Sequence, residues 1–234
     1  MMLSVENLHA YYGRAHILAD VGFAVPKGEV VVLLGRNGAG KSTTLKAVMG
    51  LVPPTRGRIV FQGTDIAGEQ PFEIARLGLG YVPEDRRIFG ELTVAENLEV
   101  GSRPPRPGVP QWTREKLFAL FPNLARMQER PGGQMSGGEQ QMLTIARTLM
   151  GNPSLVLLDE PSEGLAPVIV EQMAKTILDL KREGLTVLLS EQNLHFARAV
   201  GDRALVIEKG RIRFAGTMAE LMANEGVRAQ YLSL

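Results

Sequence analysis

The 234-residue sequence contains no cysteine, which excludes disulfides and thiolate metal centres and suits a reducing compartment. It lacks an excess of either charge. Lys plus Arg number 26 against 25 Asp plus Glu, a formal net charge of +1, so neither nucleic acid nor an anionic membrane surface is expected as the main partner. No apolar run approaches the roughly 18 residues needed to cross a bilayer, and the N-terminus has no basic region followed by an apolar core. The expectation is a soluble, cytoplasmic protein that reaches a membrane only by docking onto something that spans it. The length suits one large α/β domain with an inserted lobe, and two full domains would be cramped.

What is present centres on GRNGAGKS, Gly35 to Ser42. Five apolar residues, Val30 to Leu34, lead into it, and TTLKAVMG, with Leu45, Val48 and Met49 at helical spacing, follows it. Strand, glycine-rich loop and helix start in this order fit G-x-x-x-x-G-K-[ST]. In such a loop the glycines let successive N–H groups face one centre, and the helix N-terminus adds positive potential there. The cradle for a nucleoside triphosphate is therefore Gly35, Arg36, Asn37, Gly38, Ala39, Gly40, Lys41, Ser42 and Thr43. Lys41 is expected to reach the β and γ phosphates, and Ser42 to offer its hydroxyl to Mg²⁺.

Leu3 to Val25 reads as strand, with a turn at Tyr11 to Arg14, and Pro26-Lys27-Gly28 makes the next turn. Tyr12 lies just before the hairpin glycine, where an aromatic can serve strand packing or a ligand; the pattern alone does not choose. After Pro53-Pro54 come a strand in RGRIVFQG, a short helix from Pro71 to Leu77 and a strand from Leu79 to Val82. Residues 85–134 change character. LTVAENLEVG and REKLFALF have helical spacing, the first opened by Thr93 and Glu96 as a capping box. The four prolines of SRPPRPGVPQW predict an irregular, exposed linker between them. Next, Ser136, Gly137 and Gly138 precede a helix with Met142, Ile145, Ala146 and Leu149 on one face. This glycine-rich helix start is either an ordinary N-cap or a second anion site.

LVLLDEPSEGLAP begins as a central strand and ends it in Asp159 and Glu160, at the sheet edge where ligands of α/β proteins bind. Buried carboxylates need positive partners, and Mg²⁺ beside the phosphate loop supplies one. On this reading Asp159 holds the metal and Glu160 polarises the water that attacks the γ phosphorus. A helix from about Val168 to Arg182, a strand LTVLLS ending in Glu191-Gln192-Asn193, a hairpin turning at Lys209-Gly210 and two short helices complete the chain.

Together these motifs resemble the ATP-binding subunits of ABC transporters along essentially the whole length. GRNGAGKS is similar to their P-loop, LVLLDE to their Walker B strand, MSGGEQQ to their signature and SEGLAP to their D-loop. Tyr12 falls where the family's adenine-stacking aromatic lies. The resemblance implies an α/β P-loop NTPase core with a mostly parallel sheet, an antiparallel β lobe and an inserted helical lobe. Its implied division is one domain, 1–234, with 1–84 and 152–234 as the nucleotide-binding core and 85–151 as the helical lobe. It also implies two such subunits, as homodimer or heterodimer, sandwiching ATP so that Ser136, Gly137, Gly138 and Glu139 of one meet the nucleotide on the other.

Two positions depart from the commonest family pattern. Glu84 stands at the Q-loop position, where glutamine is usual, and would place a carboxylate beside the metal held by Ser42 and Asp159. Gln192 stands at the switch position, where histidine is usual; it can hydrogen-bond phosphate or water but cannot carry a proton. The combination of YVPEDRRIF, LSEQN, SEGLAP and VRAQYL looks like the second ATPase of branched-chain amino acid importers, with urea or amide importers closely related. The implied partners are membrane-spanning permease subunits and, indirectly, a solute-binding protein, and the implied place is the inner face of the plasma membrane. The competing reading is a soluble ABC-type ATPase of DNA repair or the ribosome, whose usual coiled-coil insert or second ATPase domain is missing. A P-loop kinase or GTPase would not account for MSGGEQQ.

Overall fold

The structure is a computed structural model that describes residues 1–232. The N-terminal segment folds back as a hairpin, β1 (Leu3–Tyr12) and β2 (Ala15–Val25), with Gly13 in the left-handed region at the turn. After β3 (Val30–Leu34) and α1 (Lys41–Val48), β4 (Arg56–Phe61) pairs antiparallel with β1, and a two-residue β5 (Thr64–Asp65) closes the edge. These strands form a four-stranded antiparallel sheet in the order β2-β1-β4-β5.

Next come α2 (Pro71–Leu77) and β6 (Leu79–Val82), then the helices α3 (Val94–Gly101), α4 (Arg114–Leu120), α5 (Pro122–Arg126) and α6 (Gly137–Leu149). The chain returns through β7 (Leu155–Asp159), α7 (Pro167–Arg182), β8 (Thr186–Glu191), α8 (Leu194–Val200), β9 (Arg203–Glu208) and β10 (Arg211–Thr217), and continues in α9 (Met218–Ala223) and α10 (Glu225–Val227). The second sheet has the order β10-β9-β3-β8-β7-β6 and is parallel except for the β9–β10 hairpin.

Why the central strands read as unbroken aliphatic runs is visible in their packing. Val30, Val32 and Leu34 of β3 face one hydrophobic cluster, with α3, α6, α7 and α8, while Val31 and Leu33 face the other, with α1, α2 and the antiparallel sheet. A parallel sheet covered on both faces has no polar side to display. Each such side chain contributes roughly 1.5–3 kcal/mol by leaving water, so a carboxylate at Val32 would break this layer.

Several expectations are refined. The region between α3 and α6 holds two further short pieces, α5 and a 3-10 turn at Gly132–Gln134, and α8 follows the strand end at Glu191. The proline linker has no helix or strand, but it is not exposed throughout: Trp112 at its end is buried, its ring under the Lys116 ammonium. No helix among the described residues is long and apolar enough to cross a membrane.

Candidate active site

The phosphate loop runs from the end of β3 to the start of α1. A Cβ on Gly35 would lie 2.6 Å from the carbonyl oxygen of Ile207, so the first glycine is what lets β9 approach the loop. Gly38 and Gly40 have φ of 78° and 110°, left-handed values that let the loop curl back on itself. No side chain caps α1, which leaves its first N–H groups for an anion. A cavity of about 380 Å³ opens here, lined by Asn37, Gly38, Gly40, Lys41, Ser42 and Thr43, with Tyr12 and Ile17 at one side and Glu84, Glu160 and Glu163 at the other. Tyr12 is 49% exposed, a ring face available beside the loop.

Beneath that cavity the two carboxylates take separate paths. Asp159 is 1% exposed and points at α1: its Oδ1 accepts from Ser42 Oγ at 2.9 Å and Ser190 Oγ at 2.7 Å, and its Oδ2 accepts from Tyr81 Oη at 3.1 Å. Burial, reinforced by the Asp159 charge, pushes the Tyr81 phenol far above its usual range and keeps it a donor. Glu160 turns the opposite way because its backbone is left-handed, with φ of 47°, and its N–H donates to Ser190 Oγ at 3.0 Å. Its Oε1 lies 3.0 Å from Lys41 Nζ. Lys41, 3% exposed, also donates to the carbonyls of Gly35 at 2.8 Å and Arg36 at 3.1 Å. Glu163 shares a hydrogen bond with Glu160, and that bond, with burial and the charges of Glu160 and Glu84, pushes its carboxyl up to about 6.

The donor set suits a hard cation: a buried carboxylate and a hydroxyl, both oxygen, open to a phosphate cradle. Among the described residues no cluster of three or more His, Cys, Asp or Glu is placed to hold a metal by itself. Ser42 and Asp159 could hold Mg²⁺ with nucleotide oxygens and water completing its shell, and Glu84 faces the same space.

The glycine-rich start of α6 does not line this cavity. Ser136 and Glu139 form a capping box in which Glu139 Oε2 accepts from Ser136 N at 2.7 Å and Ser136 Oγ from Glu139 N at 3.4 Å. Glu139 is thus occupied in capping, the first N–H groups of the helix have no partner within it, and a Cβ on Gly137 would lie 2.6 Å from Arg86 Nη1. Gln192 is exposed and likewise outside the lining. Tyr81, Ser190, Glu163 and Glu191 lie within the motifs read from the sequence but carry no assigned role there. Only the pairing of Asp159 with Ser190 across β7 and β8 could have indicated one of them, and that register is a product of the fold.

Residues 18–163 match the family model described as ABC transporter. The high-affinity branched-chain amino acid transport ATP-binding protein BraG of Pseudomonas aeruginosa is 46% identical over 231 residues, covering 99% of each chain. The lipopolysaccharide export system ATP-binding protein LptB of Haemophilus influenzae is 39% identical over 233 residues, covering 99% of this chain and 97% of its own. A solved structure of an ATP-binding subunit of an ABC transporter superposes with a TM-score of 0.83 at 31% identity, over 99% of this chain and 96% of that one. Since the matched span opens in β2 and closes just past Glu160, taking in the phosphate loop, Glu84, Glu160 and the helices between them, and relatives of 39–46% identity extend over nearly the whole chain, the chain belongs to the ABC transporter family and is an ATP-hydrolysing subunit of it.

Proposed function

We propose that the protein energises uptake of branched-chain amino acids, as one of two ATPase subunits docked beneath membrane-spanning permease subunits, with a solute-binding protein delivering cargo on the far side. The observation that carries this reading is the 46% identity to BraG across nearly all of both chains. Its place is then the inner face of the plasma membrane.

In the proposed cycle the adenine stacks on Tyr12, and the phosphates enter the loop, where Lys41 exchanges its carboxylate partner for phosphate oxygen. Mg²⁺, held by Ser42 and Asp159 with Glu84 beside it, would neutralise phosphate charge. Glu160, released from Lys41, is the base that takes a proton from the attacking water, and Gln192 hydrogen-bonds the phosphate or the water. Ser136, Gly137 and Gly138 meet the nucleotide of the second subunit, which explains why they stand apart from the cavity of their own chain. Residues 85–151 are proposed as the lobe that moves relative to 1–84 and 152–234.

The permease contact is proposed for a groove of about 950 Å³ between α2, β6 and the proline linker. Its lining includes Phe72, Leu51 and five arginines, Arg76, Arg87, Arg103, Arg106 and Arg147, without an aspartate or glutamate. Arg106 also donates to the last carbonyls of α2, at 2.6 Å for Arg76 and 3.3 Å for Ala75. A short permease helix with apolar and acidic residues matches that surface.

The likeness to LptB supports a second reading, a subunit of a lipopolysaccharide exporter. Reconstitution separates the two. The protein is combined with the permease pair and second ATPase of an amino acid importer, or with export permeases. Stimulation of ATP turnover by amino-acid-loaded binding protein is the expected result, and stimulation only by export permeases would replace the import reading.

A further inference from the structure

Glu191 ends β8, is 2% exposed and belongs to none of the ion pairs among the described residues. A buried carboxylate without a cation is an expensive way to fill a space that leucine would fill. Burial pushes its acid upward, while hydrogen bonds from Ser162 and Asn193 pull the other way. The compensation is spread over three segments of the catalytic site. Its Oε1 accepts from the N–H of Ser162 at 3.2 Å, in the loop that follows Glu160. Its Oε2 accepts from the N–H of Gln192 at 3.1 Å and of Asn193 at 3.0 Å, at the start of the segment leading to α8. Its carbonyl oxygen accepts from Gly35 N at 3.3 Å, the first residue of the phosphate loop.

We propose that Glu191 is a positioning residue for hydrolysis: its two carboxylate oxygens clamp the Glu160 loop to the Gln192 loop, and its carbonyl ties both to the phosphate cradle. The clamp does not touch nucleotide. Its physical requirement is two acceptor oxygens, because three backbone N–H groups, which cannot reverse, and the Ser162 hydroxyl donate to them. Asn193 turns its own side chain to cap α8, accepting from Phe196 N at 3.1 Å, so the Gln192 loop has a second anchor. The Ser162 N–H goes to Glu191, while Glu160 itself is also held by its N–H on Ser190 and by Lys41. Loss of the acceptor at Oε1 therefore loosens the Glu160 loop at Ser162. Since Lys41 and the glycines of the loop keep their places, binding of ATP is retained while the water-activating group loses its alignment, and misplacement on the ångström scale costs up to about a hundredfold in rate.

This inference rests on the ATPase reading, and the experiment separates the two. Glu191→Gln keeps size but offers one acceptor oxygen and one NH₂ group that faces N–H donors; Glu191→Asp keeps both acceptors on a shorter stem. ATP turnover is measured per nucleotide-binding site, together with KM and the affinity for a fluorescent ATP analogue, beside Glu160→Gln as reference. The expected result is a kcat for Glu191→Gln lower by about tenfold or more, KM and analogue affinity within about twofold of wild type, and partial recovery of kcat in Glu191→Asp. A kcat per binding site within twofold of wild type in Glu191→Gln, a parallel loss of analogue affinity, or an Asp variant no better than Gln would each overturn it. Normal turnover in Glu160→Gln would instead sink the assignment of the hydrolytic centre itself.

Discussion

The ion pair of Lys41 and Glu160 sets up a quantitative test. Lys41→Ala strands a carboxylate whose side chain is only 9% exposed. Removing one partner of a buried pair costs about 3–5 kcal/mol. Because Glu160 borders the open cavity, the lower end, about 3 kcal/mol, applies. For a chain of this size each kcal/mol moves the melting temperature by about 2–4 °C, so a fall of about 6–12 °C is expected at neutral pH. In Lys41→Ala/Glu160→Gln no charge is left unpaired. The double variant should therefore be more stable than Lys41→Ala alone, with a coupling of about 2 kcal/mol between the sites. Calorimetric melts of wild type, both single variants and the double variant without nucleotide measure the cycle directly. A loss below about 1 kcal/mol for Lys41→Ala, or additivity within about 0.5 kcal/mol, would show that the pair contributes nothing to the fold.

Glu160→Gln should keep ATP binding, nearly abolish turnover and accumulate an ATP-bound dimer on gel filtration; rapid hydrolysis would displace Glu160 as the base. Tyr12→Ala should weaken ATP binding by about 1–3 kcal/mol through one lost stacking contact, read by titration calorimetry, and an unchanged affinity would return Tyr12 to strand packing. Glu163 supplies a pH test. Its folded pKa, about 6, lies above the ordinary glutamate value of 4.5, so its contribution to stability is full below about 4.5 and is lost as pH rises through about 6. Glu163→Gln, which keeps a donor toward Glu160, should flatten that decline, by under about 1 kcal/mol after solvent screening; identical stability profiles from pH 4.5 to 7 would refute the shared proton. Ser190→Ala removes one hydroxyl from Asp159 and from the Glu160 N–H and should cost about 1–3 kcal/mol, so an unchanged melting temperature would show that hydroxyl to be dispensable.

How much of this could be read from residues alone follows a physical division. Contiguous motifs were legible: the glycines of the phosphate loop, the strand ending in Asp159 and the cap Thr93/Glu96 are local in sequence, whereas Glu139, read as a nucleotide contact, closes a capping box with Ser136. The central strands were legible because burial on both faces demands uninterrupted aliphatic residues. What was not legible depends on alignment between distant segments. Tyr81 reaches Asp159 only because β6 and β7 run side by side, and Ser190 only because β8 places it opposite. Trp112 was misplaced because prolines speak for the backbone of its neighbours and say nothing about where the last side chain of the linker goes. The five-residue α5 offers too few turns for a periodic signal.

The aliphatic middles of β3, β7 and β8 have a consequence for how the sheet finds its alignment. VVVLL, LVLL and TVLL could slide past one another with little change in what they bury, since either face greets oil. Only the tips tell the strands apart: Asp159 must meet Ser190, and Leu34 must meet Glu191 so that Gly35 finds its carbonyl. The groups that tie the edges of the site together thus also serve as the notches of a key, and erasing them threatens the threading of the sheet as well as its chemistry.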